Sequence, residues 1–313
     1  MRYRQLGSSG LTVSVSGLGC NNFGRRLGLE DTRSVVHAAL DAGVTLFDTA
    51  DIYGESEALL GEVLAERRDE IVLATKFGMS MGGRIAPEHE ARGSRRYIRR
   101  AVESSLRRLR TDYIDLYQMH QPDPRTPIAE TLAALDELVT EGKVRYLGSS
   151  NFAGWQIADA EWIARTRGST RFVSAQNEYS LLERAVEVEV VPACRAHGVG
   201  LLPFFPLAGG LLTGKYRRGA PAPAGTRLHG RVEGIGEAKF DIVEALEKYA
   251  ESSGRSLLEL AIGGLAAQPA VASVIAGATT PEQVRANVAA AEWEPTPPEL
   301  AELDAIAGPG RSE

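Results

Sequence analysis

At 313 residues and 43% hydrophobic composition, the chain can bury a large core, and its length suits either two small domains or one (β/α) barrel. Its 35 basic and 41 acidic side chains give a formal charge of −6 and are interspersed, which argues against nucleic acid as a partner. Cys20 and Cys194 have no metal-ligand or disulfide-framework spacing, "MRYRQLGSSGLTVSVSG" lacks an apolar signal core, and no apolar run nears the roughly 20 residues that span a bilayer, so the expected setting is cytoplasmic, with no membrane contact.

In chain order, "RQLGSSGLTVS" reads as a β-hairpin around Ser8, Ser9 and Gly10, placed to plug the lower mouth of a barrel. Eight apolar or β-branched runs then recur as strand candidates: "VSGLG", "VTLFD", "IVLATK", "YIDLYQMH", "VRYLGSS", "RFVSAQNE", "VGLLPFF" and "ASVIAG". Segments with apolar residues at helical spacing alternate with them. "LEDTRSVVHAALDAG" ends in a glycine stop, and "RRYIRRAVESSLRRLR" follows the capping candidate Ser94. Eight such units predict one (β/α)8 TIM barrel domain over residues 1–313; a doubly wound sheet uses fewer strands and opens with a Gly-rich turn. Two loops exceed ordinary length, Met79 to Arg92 after barrel strand three and Ala208 to Gly236 after strand seven, and loops of that size are usually functional or disordered.

Chemistry in such barrels sits where strands finish, and here the strand ends are crowded with polar groups. "LFDTADIYGESEALLGEVL" carries Asp48 at the end of strand two and Tyr53 just beyond, strand three ends at Lys76, and strand four runs out at His120. Each alone has a structural explanation as a cap, a packed ring or a satisfied core histidine. Together, charges from three adjacent strands at a partly buried mouth are costly unless they serve one another. A tyrosine is a poor acid at neutral pH without a nearby cation. At about 5 Å and an effective dielectric of about 20, Lys76 is worth about 3 kcal/mol, which predicts a Tyr53 pKa lowered by about two units. Asp48 is expected to pair with Lys76, and His120 to orient a substrate oxygen by hydrogen bonding. Asp51 is expected to shape the loop through backbone hydrogen bonds. Proton delivery to an oxygen developing negative charge suits carbonyl reduction.

These motifs resemble the aldo-keto reductase family, from "GLGCNNFG" through "FDTADIYG", "LATKFG", "DLYQMHQPD", "GKVRYLGSSNF", "QNEYSLL" and "PLAGGLLTGKY" to "VIAGATTPEQVRAN". The resemblance implies a barrel that reduces aldehydes and ketones with NADPH, with Asp48, Tyr53, Lys76 and His120 as the catalytic tetrad and a small-molecule carbonyl as substrate. It also implies a cofactor site. Ser150, Asn151 and Gln176 fall where the carboxamide is held, with Gly19, Cys20, Asn21 and Asp48 near the ring and ribose. Phe204 falls where an aromatic stacks on the nicotinamide, and Phe205 where a serine is common. Pro206, Leu207, Ala208, Gly209 and Lys215 fall along the pyrophosphate, and Gly277, Thr279, Gln283 and Asn287 at the adenosine end.

That adenosine end lacks the basic residue of many relatives, which leaves NADH possible, with Lys215, Arg217 or Arg285 as substitute cations. A phosphate can also be held by the helix N-terminus at Pro281. Two other readings compete. A cofactor-binding regulatory subunit resembling potassium-channel β subunits shares the barrel. A metallohydrolase on Asp48, Asp51 and His120 needs further histidines at strand ends, which this chain does not supply. A monomer is the default expectation for the oligomeric state.

Overall fold

A computed structural model describes residues 1–308. Strands β1 (Tyr3–Gln5) and β2 (Thr12–Ser14) form the expected antiparallel hairpin. The barrel strands follow as β3 (Ser16–Gly19), β4 (Leu46–Asp48), β5 (Val72–Phe77), β6 (Ile114–Met119), β7 (Val144–Ser150), β8 (Phe172–Gln176), β9 (Gly200–Leu201) and β10 (Val274–Gly277). All pair in parallel in the order β10-β3-β4-β5-β6-β7-β8-β9. The barrel closes between β9 and β10, where Leu201 N donates to Ala270 O (2.7 Å) and Ile275 N to Pro203 O (2.9 Å). Closure removes the free sheet edge. The result is the (β/α)8 fold expected from the alternating pattern.

Among the described residues ten α-helices accompany the strands: α1 (Leu29–Asp41), α2 (Ser56–Val63), α3 (Arg95–Leu109), α4 (Ile128–Thr140), α5 (Gly154–Arg167), α6 (Val186–His197), α7 (Glu237–Ser253), α8 (Leu257–Ala266), α9 (Pro281–Ala290) and α10 (Pro297–Ala307). Ser94 caps α3 by accepting from Tyr97 N, and α1 stops ahead of Gly43, whose φ of +79° suits glycine. Helices α7 and α10 stand outside the eightfold repeat. They bury Phe240, Val243, Leu246 and Leu303 in a second apolar cluster with Leu211, Leu212 and Tyr216, so the long segment after β9 is anchored at both ends.

Side chains alternate along each strand between the barrel interior and the helix layer. In β5, Val72 and Ala74 join Leu46, Leu116 and Leu202 in an inner cluster, while Leu73 and Phe77 join the larger cluster under the helices. Leu6 and Val13 of the hairpin complete the inner cluster from below, as expected of a plug. Gly7 fits there because a Cβ would lie 2.4 Å from Gly198 O. The same alternation carries Lys76 inward at the top of β5. One expectation was too long: "VGLLPFF" supplies only two strand residues, because Pro203 has no N–H to pair and Phe205 takes φ +53°, turning the chain out of the sheet.

Candidate active site

The upper ends of β4, β5 and β6 bring Asp48, Lys76 and His120 together, with Tyr53 on the loop between β4 and α2. Lys76 is fully buried. Its Nζ donates to Asp48 Oδ2 (2.6 Å) and to Thr49 O (2.9 Å), and lies 5.1 Å from the centroid of the Tyr53 ring. The Tyr53 and His120 rings meet edge to face, 5.8 Å apart. The convergence drawn from the strand ends is therefore present in space.

Asp48 accepts two further hydrogen bonds, from Gln118 Nε2 (3.1 Å) and Gln176 Nε2 (2.8 Å). Gln118 stands beside Lys76 in the β5–β6 register and opposite Gly148 in β7, where a Cβ would lie 2.9 Å from the Gln118 side chain. Three donors thus surround one carboxylate, which offsets the cost of burying it. Gln118 was missed as a site residue. Its signal was available, because it shares with His120 the inward-facing parity of β6.

The pKa shifts correct one expectation. Burial raises the Tyr53 pKa, the Lys76 ammonium pulls it down and the Asp48 charge pushes it up again, so the phenol lies above its ordinary 10 and not below. The cation alone would lower the pKa; the lost solvent and the anion beside it outweigh that pull. Burial opposes the Lys76 ammonium, but Asp48 and Tyr53 outweigh it and hold the pKa above the usual lysine value. Burial first, and then Lys76, depress His120 to about 3, so the imidazole is neutral at physiological pH. Its Nδ1 is buried without a partner.

A strip of the remaining residues runs from β7 to α9. Ser150 is buried at the top of β7, and Asn151 beside it takes φ +58° and donates from Nδ2 to His120 O (2.9 Å). Gln176 is shared with Asp48, as above. Gly19 pairs with Asp48 in the β3–β4 register and Cys20 N donates to Asp48 O, but the Cys20 side chain is buried in the core. Asn21 lies against Gly277. Phe204 and Phe205 pack edge to face, with Phe205 exposed. Pro206, Leu207, Ala208 and Gly209 continue the strip into a tight turn in which Ala208 and Gly209 both take positive φ. Lys215 is exposed above it.

At the far end Gln283 Oε1 accepts from the backbone and hydroxyl of Thr279, and Asn287 is buried on α9. Two suggested substitute cations are engaged elsewhere, Arg217 with Glu247 and Arg285 with Glu282. A different cation, Arg227, lies on this strip. This half-buried guanidinium from the long loop stacks 5.3 Å over Phe205 and hydrogen-bonds Asn21 and Asn22 at 3.4 Å. Nothing local in a Gly- and Pro-rich loop marks it out in the sequence.

Asp51 meets the expectation through its backbone, whose N donates to Lys76 O, whereas both carboxylate oxygens are buried without a hydrogen-bond partner. Burial, and then Glu57, raise its pKa to about 8. Among the described residues no cluster of histidine, cysteine and carboxylate could hold a metal ion, and no helix is long and apolar enough to cross a membrane.

A closed (β/α)8 barrel with a buried ion pair, a tyrosine and a neutral histidine at the C-terminal mouth is the architecture of a barrel enzyme. The aldo/keto reductase family model matches residues 17–307, and the chain belongs to that family of oxidoreductases. It is 39% identical over 302 residues to the uncharacterized oxidoreductase YrpG of Bacillus subtilis (strain 168), covering 93% of this chain and 91% of the relative. It is also 35% identical to a probable voltage-gated potassium channel subunit beta of Arabidopsis thaliana and 34% identical to one of Oryza sativa subsp. japonica. Those matches cover 94% and 98% of this chain, and 92% and 96% of the relatives.

Proposed function

We propose that the protein is an NADPH-dependent reductase of small aldehydes or ketones, with Tyr53 as proton donor. The observation that carries this reading is the Lys76 ammonium, buried, paired to Asp48 at 2.6 Å and set against the Tyr53 ring. The donor set along the strip fits a dinucleotide: amides at Asn151 and Gln176, an aromatic face at Phe204, a tight backbone turn at 206–209, and Lys215 and Arg227 as cations in no ion pair among the described residues. When bound, the reduced nicotinamide supplies the hydride.

The chain's own residues do the rest. His120, neutral at the pH of the reaction, donates a hydrogen bond to the carbonyl oxygen and orients it against Tyr53. The raised pKa keeps Tyr53 protonated until the oxygen gains negative charge; the phenol then gives up its proton, and Lys76 stabilises the phenolate that remains. Asp48 holds Lys76 in place. NADPH is preferred over NADH in this reading, because the N-terminus of the ten-residue α9 can bind a phosphate beside Thr279 and Gln283. Comparing kcat/KM for the two cofactors tests that point, and a clear NADH preference overturns it.

An NADPH-oxidation screen over a carbonyl panel tests the whole reading. Tyr53→Phe is expected to lower turnover by about 10²–10⁴ while leaving cofactor binding nearly intact, since the ring still packs. A Tyr53→Phe enzyme with most of its activity would refute the acid assignment. The kinship to proteins named as channel β subunits favours a second reading, a cofactor-binding regulatory subunit. Tight cofactor binding with no turnover of any carbonyl would select it.

A further inference from the structure

Among the described residues, three of the five exposed large apolar side chains share one wall of the barrel. They are Trp155 (65% exposed) and Trp162 (71%) on α5, and Val188 (52%) on α6. The other two have local explanations: Tyr3 hydrogen-bonds Gly43 O, and Phe205 lies under Arg227 on the cofactor strip. Exposed tryptophans are costly in a soluble surface unless something covers them. Trp155 and Trp162 are seven residues apart, two helical turns, and so lie on one face, with exposed Asp159 between them. The opposite face of α5, through Ile157, Ala160 and Ala164, is buried in the barrel's main core.

Helix α6 extends the same surface. Gly154 sits so close to it that a Cβ would lie 2.5 Å from Glu189 O, which places the start of α5 beside Val188 and Glu189. Further along α6, Pro192 and Ala196 are exposed as well. A stable interface needs about 800 Å² per partner, and an aromatic side chain brings up to about 250 Å². At these exposures the two tryptophans alone supply roughly two-fifths of that area.

We propose that this α5–α6 face is a homodimer interface, in which two copies pack α5 against α5 antiparallel about a two-fold axis beside Asp159, so that Trp155 of each copy meets the partner's Trp162. The occupant is a second copy because the face is complementary to itself. The tryptophans flank Asp159, one four residues before it and one three after, and an antiparallel two-fold carries Glu189, early on α6, toward the partner's Arg195, later on it. Both are exposed, and neither forms an ion pair within the described chain. The buried acid of this wall, Glu161, is already satisfied by Arg165 and Arg171. Because the face lies on the side wall, association leaves both barrel mouths open.

Light scattering and sedimentation of the full chain over a dilution series test the proposal. The expected result is a two-chain mass that Trp155→Glu with Trp162→Glu reduces to one chain, a weakening of at least about a hundredfold if each tryptophan is a hot spot. Circular dichroism checks that this variant stays folded. A second route leaves the tryptophans alone: Glu189→Arg weakens the dimer, and adding Arg195→Glu restores it. Asp159→Asn tightens it, since the two-fold sets the carboxylates face to face. A wild-type monomer at every concentration, or a dimer that survives loss of both tryptophans, overturns the interface. Failure of the charge swap or of Asp159→Asn overturns the antiparallel arrangement.

Discussion

Asp48 and Asp51 lie three residues apart and are both buried, at 3% and 2% exposure, yet they have opposite surroundings. Asp48 points into the barrel and accepts from Lys76, Gln118 and Gln176. Asp51 lies on the helix side of the sheet, where Glu57 already takes Arg108 (2.6 Å) and Thr75 (2.7 Å), and its oxygens have no partner. The Tyr117 hydroxyl, buried in the same region and raised in pKa by burial and then by Asp51, is also unpartnered. A buried carboxylate can keep its charge by gathering donors or lose it by keeping a proton. Asp48 gathers donors around a buried ammonium, and Asp51, three residues away, has none and keeps its proton up to about pH 8.

The largest test of that contrast is Lys76→Met, which leaves Asp48 with two neutral donors and no cation. A stability loss of about 3–5 kcal/mol is expected by thermal or denaturant unfolding, together with loss of reductase turnover. Near-native stability would mean that the amides suffice. Gln118→Leu is the intermediate case, removing one donor of three; it should cost about 1–3 kcal/mol, and the cost should shrink when measured in an Asp48→Asn background. Asp51→Asn is the smallest and has the opposite sign. With the pKa raised from 3.8 to about 8, the folded state holds a proton that the unfolded chain releases, so this group's contribution is intact below pH 4 and lost as pH rises through 8. Asparagine has no proton to lose. The variant should therefore match wild type near pH 4 and melt higher above pH 8, by about 2 °C or more. A lower melting temperature above pH 8 would show that Asp51 is ionised and paired.

Much of this was legible beforehand. Strand alternation and strand-end position placed Asp48, Lys76 and His120 at one mouth, because period-two geometry leaves few alternatives once a barrel is recognised. Gln118 carries the same signal, since it shares the inward parity of His120. The Tyr53 shift was not legible, since its sign depends on how much solvent is lost and on how close Asp48 stays to Lys76, and neither is a property of spacing. Arg227 was equally hidden. Its position over Phe205 depends on the path of the segment between Ala208 and Gly236, which α7 and α10 anchor through long-range packing.

The sequence by itself determined the eightfold alternation, the plugging hairpin, the family and the identity of the four groups at the mouth. Those follow from local periodicity and residue chemistry, which survive without coordinates. The folded chain alone decided which buried carboxylate gathers donors, which arginine lies over Phe205 and which helix face is left apolar to solvent. Each of those turns on the neighbours that burial supplies or withholds, and those neighbours come from distant parts of the chain.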